Sequence, residues 1–300
     1  MSTTEFSKRV EGLATLAGGV VVLLGALVLV GWALDLTALK SVVAGWRTMA
    51  PLTALSFLMS GMALYGAVAS PRAHGSALKG PEVRARRRLR QSLAAAVALI
   101  AALRLLDYLM GWNLGIDRLG FRESPAAVAM TGTTRMAPAT ALGLLFVGCA
   151  LLLPTRRPFN IAFQSLTWLA GLIGWLGLSF YLYGGEPLLP FAQMAVHTSI
   201  AFLILSAGIL CTRTNEGLLA LLTSDSAAGS VSRRLMPAVL VVPTLLGWLY
   251  LTGQTAGWLG AAAGTALLAL ATVAFLGALV WVTARLLHTA DTERSAGRFG

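Results

Sequence analysis

Arg104 and Asp107 stand three residues apart inside the apolar run LRLLDYLMGW, a spacing that puts both on one face of a helix. Charges within a membrane are costly and point into a bundle or toward water, so this pair needs an explanation. Tyr108, Trp112 and Asp117 continue in the same direction along the chain, and Asp35 closes an earlier apolar run after Gly31-Trp32. Tyr181, Tyr183, Glu186 and His197 add a third polar group. Two chemistries fit these residues: a pocket that binds a ligand or senses protons, drawing on Asp35, Arg104, Asp107, Tyr108, Asp117, Tyr181 and His197, or an Arg–Asp pair that ties a bundle together and needs no ligand.

Other chemistry is poorly supplied. His197 is the only histidine of three that falls near this group, so a protein-only metal site lacks ligands, and no His/Cys spacing of the zinc or iron–sulfur kind occurs. A haem on His197 and a nearby Met, or a bound pigment, is the one cofactor arrangement these residues allow. The plainer reading is a hydrogen-bonded interior imidazole, and no cofactor is expected. Cys149 and Cys211 read as packing residues. The chain has no phosphate-cradling G-x-x-x-x-G-K-[ST], no G-x-S-x-G elbow and no H-E-x-x-H, so a non-enzymatic role is expected.

The elements that position these residues follow from composition. Of 300 residues 57% are apolar and only 12% charged, with a mean hydropathy of +0.76. A soluble domain carries roughly 25% charged residues, so the chain reads as a polytopic membrane protein. A crossing helix needs roughly 20 apolar residues. Eight stretches qualify, at about 12–34, 50–69, 91–112, 137–153, 161–183, 195–212, 235–252 and 259–286. The runs are continuous rather than alternating, and lipid demands internally satisfied backbone, so an all-α integral membrane fold is expected. Residues 1–294 then form one eight-span domain and 295–300 a short cytoplasmic tail. The prolines cluster at span ends, which argues against the broken helices of a transporter. Gly171, Gly174 and Gly177, and separately Gly260 and Gly264, read as helix-packing rows, and Trp32, Trp46, Trp112 and Trp258 as an aromatic belt.

The formal charge of +11 acquires a meaning once it is sorted along the chain. Seventeen of the 23 Lys and Arg fall in the N-terminus, the even-numbered loops and the tail; five fall in the odd-numbered loops, and Arg104 lies within a span. Positive charge concentrates in cytoplasmic loops, so both termini are expected inside, and the polar group above outside. The run RARRRLR (84–90) suits nucleic acid or anionic lipid in principle, but orientation alone accounts for it and no nucleic-acid partner is expected.

The chain also repeats itself. Met49-Ala50-Pro51-Leu52-Thr53-Ala54-Leu55, Met136-Ala137-Pro138-Ala139-Thr140-Ala141-Leu142 and Met194-Ala195-Val196-His197-Thr198-Ser199-Ile200 share one pattern, with a weaker echo at Gly264-Thr265-Ala266-Leu267. Gly61, Gly148 and Ser206 lie eight residues beyond each Thr. The spans therefore read as four repeated helical hairpins, each motif opening a returning helix. Proline suits a first helical turn, and small residues let helices approach, so helix start and packing are the main reading. Three helix N-termini near one another would alternatively suit an anionic or carbonyl-bearing ligand.

The order GW-x-L-D, MAPLTALSFLMSG, LDYLMGWNLGIDRL, RMAPATALGLLFVG and MAVHTSIAFLIL, followed by GLLALLTSDSAAGSVSRRLMP and PTLLGWLYLTGQTAGWLG, resembles the N-terminal multi-spanning input region of bacterial sensor histidine kinases and of some diguanylate cyclases. The resemblance covers about residues 12–294. It implies a sensory role in the bacterial cytoplasmic (inner) membrane, with Ala284–Arg294 resembling the start of a signalling helix and no output module following. Such a module would act through other membrane or cytoplasmic signalling proteins. An accessory or scaffold subunit of a larger membrane complex is the rival expectation, and a transporter a third. The resemblance carries no ligand or catalytic residue onto this chain.

Overall fold

A computed structural model describes residues 3–41, 46–68, 81–112, 115, 135–184, 193–213, 220, 224, 226–258 and 260–296. The described residues hold helices and no strand. In chain order these are α1 (Thr3–Ala33), the one-turn α2 (Thr37–Lys40), α3 (Pro51–Val68), α4 (Pro81–Met110), α5 (Pro138–Leu152), α6 (Asn160–Leu182), α7 (Val196–Cys211), α8 (Ala227–Thr255) and α9 (Ala261–Ala296). Six of them are long and apolar enough to cross a membrane; α5 and α7 are apolar but shorter. Several outrun their apolar stretches. α4 begins ten residues before Gln91 and carries the whole arginine run in helical form.

The chain divides into two compact units, residues 1–181 with 186–214, and residues 182–185 with 215–300. In the first unit the returning helices are the buried ones. α3, α5 and α7 touch one another, while α1 packs on α3 and α7, and α4 on α3 and α5. The repeat is visible layer by layer. Phe57, Leu144 and Phe202 hold one register, and Leu64, Leu151 and Ile209 another, and all six are buried. The rings of Phe57 and Phe202 meet edge to face at 4.9 Å, and the Phe202 ring lies where a side chain at Gly143 would stand.

Small residues set how closely each hairpin closes. A Cβ on Gly61 would come within 2.7 Å of the Gly18 carbonyl oxygen, and one on Gly25 within 2.7 Å of the Ala54 oxygen. In the second hairpin a Cβ on Gly148 would meet the Ala98 nitrogen at 2.8 Å, and in the third Gly174 would meet the Ser199 oxygen at 2.8 Å. Gly171, Gly174 and Gly177 thus form the face that α6 turns to α7 and to Met194. Gly260, by contrast, has nothing within 4 Å. At the opposite end from the motifs Arg213 donates to Asn160 Oδ1 at 2.9 Å and to the Leu153 carbonyl at 2.8 Å, and covers the Phe163 ring. The carbonyl at the end of α5 is satisfied in this way.

The second unit is a hairpin of α8 and α9 with Tyr183 hydrogen-bonded to the Thr244 carbonyl at 3.0 Å. It lacks the Met motif, and its echo residue Thr265 stands 3.4 Å from the Tyr250 hydroxyl on an exposed surface. Pro237 and Pro243 lie inside α8 rather than at a span end. Each removes one ladder hydrogen bond, and the helix continues through both.

The glycine contacts make a direct prediction. Gly61→Ala forces a side chain against backbone and should cost about 1–3 kcal/mol. Gly12→Ala, with nothing within 4 Å, should be neutral or gain up to about 1 kcal/mol from helix propensity. Thermal unfolding of the detergent-solubilised variants measures both.

Candidate functional site

Each returning helix of the first unit starts in the same way. Ala50, Ala137 and Ala195 are the N-cap residues: their carbonyls accept the first helical bonds, from Ala54, Ala141 and Ser199, at 3.0, 3.0 and 3.1 Å. Alanine offers no side-chain oxygen to cap with, and Pro51 and Pro138 need none at the first helical position. The Met one residue earlier is buried, and its carbonyl lies outside the helix's own ladder. A side chain from the preceding long helix of the same hairpin meets it each time. Trp32 Nε1 donates to the Met49 oxygen at 2.9 Å, Tyr108 Oη to Met136 at 2.7 Å, and Tyr181 Oη to Met194 at 2.8 Å. Each such bond contributes about 0.5–1.5 kcal/mol net, and leaving the carbonyl bare would cost more.

These three bonds place the polar residues around one end of the bundle. Asp35 takes a left-handed conformation (φ 54°) that turns the chain after α1, so that α2 brings Lys40 back over the Trp32 ring at 4.5 Å. Lys40 is buried, pairs with the exposed Asp35 carboxylate, and its carbonyl accepts from the Met49 N–H at 3.0 Å. In the second hairpin Arg104 and Asp107 form a buried ion pair on one face of α4, with the Arg104 guanidinium 4.9 Å from the Tyr108 ring. Arg47 joins the hairpins. It donates to Gln193 Oε1 just ahead of α7, and neighbouring Trp46 lies against the Tyr181 ring at 4.9 Å. Burial lowers the pKa of the Arg47 guanidinium from its ordinary value, while the phenols of Tyr108 and Tyr181 act to raise it.

The motif residues Met49, Pro51, Thr53, Met136, Thr140, Met194 and Thr198 are all buried, and Pro138 is half-buried. His197 is buried in the first turn of α7, and its Nε2 has no hydrogen-bond partner among the described residues. It occupies the register of Leu52 in the first repeat and Ala139 in the second. Asp117 and Glu186 lie outside the described residues. Trp112 and Trp258 are exposed. Among the described residues no three His, Cys, Asp or Glu side chains come together as metal ligands, and Cys149 and Cys211 are half-buried free thiols.

Sequence reasoning passed over Lys40, Arg47, Gln193 and the donor role of Trp32. Lys40 and Arg47 look like ordinary loop cations; the available signal was their place within a short, otherwise apolar connection that leads into a Met motif. The aromatic donors were hidden by chemistry, because an indole and two phenols share the task.

The chain matches no protein-family model, no curated protein and no solved structure.

Burying Arg104 and Asp107 together makes them interdependent. Arg104→Met leaves a buried carboxylate facing an apolar side chain and should destabilise the protein by about 3–5 kcal/mol. Adding Asp107→Leu should recover most of that loss. A double variant as unstable as the single one would show that the pair's other contacts, rather than its charge balance, hold this region. Thermal unfolding in one detergent compares the three proteins.

Proposed function

We propose that the chain is a non-enzymatic membrane sensory module of eight spans, both termini cytoplasmic, that detects a small or membrane-soluble signal and works through a partner protein. Six helices long and apolar enough to cross a bilayer support the membrane setting. Helices of 15 and 16 residues rise only about 23 Å, less than a roughly 30 Å hydrocarbon core. α5 and α7 nevertheless share the register of α3 and are buried by neighbouring helices, which relieves them of the need to match lipid along their full length. The distribution of Lys and Arg supports the orientation. The resemblance to the input regions of sensor kinases supports the role, as does α9, which continues to Ala296 beyond an apolar run ending at Arg285.

The observation that carries the sensory reading is His197. Two repeats place an apolar residue at this register, so the fold does not require a histidine there. The third places a buried imidazole, one nitrogen of which has no partner among the described residues, at the end of the bundle where Lys40, Arg47, Arg104 and Asp107 lie. A neutral imidazole can donate or accept one hydrogen bond from that nitrogen and can take up a proton.

His197→Ala installs the side chain that the second repeat already carries, so the protein should accumulate normally. Gentle extraction followed by mass spectrometry of everything bound should recover a small molecule or signalling protein with the unaltered chain, and about tenfold less with His197→Ala, a loss of roughly 1.4 kcal/mol. Asp107→Asn should act in the same direction. Identical bound inventories in all three proteins would remove the sensory reading. Stoichiometric membrane subunits retained by every variant would instead favour an accessory role, for which the second unit speaks: neither α8 nor α9 has any buried residue within its most apolar stretch.

A further inference from the structure

At the end of the first unit opposite the Met motifs, α1, α3 and α4 leave a groove of about 560 Å³ between them. That volume lies in the roughly 300–1,000 Å³ range of ligand sites. Its floor is bare backbone at Gly18 and Gly19, its wall carries Tyr65 and Leu93, and its only charged lining residues are Arg86 and Arg90. The space is real at Gly19, where an added Cβ would meet nothing within 4 Å. Arg90 is half-buried, and its Nε is a buried donor with no hydrogen-bond partner among the described residues.

The helical register sorts the arginine run. Residues 86, 89, 90 and 93 follow the i, i+3, i+4, i+7 pattern and share the groove face of α4, whereas Arg84 and Arg88 point away from it. Arg86 and Arg90 also stand where α4 passes from its charged first turns into the apolar stretch that begins near Leu93. In a bilayer that is the depth of the headgroups. The groove therefore combines an apolar channel leading into the hydrocarbon with two guanidinium groups at its rim.

We propose that this groove binds an anionic phospholipid, with an acyl chain along the glycine floor and the headgroup phosphate accepting hydrogen bonds from Arg86 and Arg90. Guanidinium groups suit phosphate because they donate paired, charge-assisted bonds. Nucleic acid fits less well, because it offers nothing for the apolar floor. The inference rests on the membrane setting proposed above, and places the lipid in the cytoplasmic leaflet in that orientation; it does not depend on sensing.

The test uses the full chain, delipidated in a neutral detergent and titrated with phosphatidylglycerol or phosphatidylcholine of identical acyl chains, with bound lipid counted by native mass spectrometry. Phosphatidylglycerol should bind about tenfold more tightly than phosphatidylcholine, and Arg86→Gln with Arg90→Gln should remove that preference. Arg84→Gln with Arg88→Gln carries the same loss of charge on the other face and should leave it unchanged. Gly19→Leu fills the floor and should weaken both lipids. Equal binding of the two lipids, equal effects of the two double variants, or unaltered binding by Gly19→Leu would each overturn the proposal. His197→Ala should not alter lipid binding, so failure of the sensory reading leaves this result standing.

Discussion

A buried backbone carbonyl with no place in a helical ladder is expensive, and the first unit creates one at the start of each returning helix. The Met-Ala-x-x-Thr motif makes these carbonyls unavoidable: alanine caps the helix with its own carbonyl, and the methionine before it is buried with its oxygen free of the ladder. An aromatic donor near the end of the preceding long helix resolves the problem three times over. The arrangement fixes both the axial register of each hairpin and the rotation of its long helix. From that register the glycine contacts follow, because only residues at the crossing need to be small.

Much of this was legible in the sequence because the motif repeats in residues that lie side by side. Met, Pro and Thr recur at fixed spacing, and Gly61, Gly148 and Ser206 at a fixed distance beyond, so the hairpins and their buried faces could be read. The long helices hide the same repeat. Their equivalent aromatics stand 17, 28 and 13 residues ahead of their methionines, so no single offset aligns them. Burial of Lys40 was illegible for a different reason. It depends on a one-turn helix after a left-handed Asp35, a local geometry that composition does not announce. The arginines in the first three turns of α4 read as loop because hydropathy marks apolar stretches, while a helix continues as far as its backbone propensity allows.

Triplication also separates structural need from chemical choice. Matching the aromatic donors aligns Arg104 with Val28 and Gly177, and Asp107 with Gly31 and Phe180. His197 aligns with Leu52 and Ala139. At each of these positions two of three repeats fold without a polar group, so the scaffold does not demand one. Thr53, Thr140 and Thr198, by contrast, are buried in every repeat and belong to the architecture. These three departures, Arg104, Asp107 and His197, lie at the motif end, and they, rather than the shared Met and Thr positions, mark the candidate site.

The arginines of α4 face the same cost of desolvation and meet it in different ways. Arg104 is enclosed by protein, and the carboxylate one turn away holds its charge in place. Placing Asp107 at i+3 on the same helix makes the pair local, so it forms whenever α4 does. Arg90 has no carboxylate partner among the described residues and instead lines the groove between α1, α3 and α4, which in the proposed membrane setting stands at headgroup depth. An enclosed cation must bring its counter-charge within the sequence, whereas a cation at the edge of the hydrocarbon can take one from the bilayer. In the proposed membrane setting, one helix would thus carry a charge balanced within the protein and a second set whose energetics depend on the lipid around it.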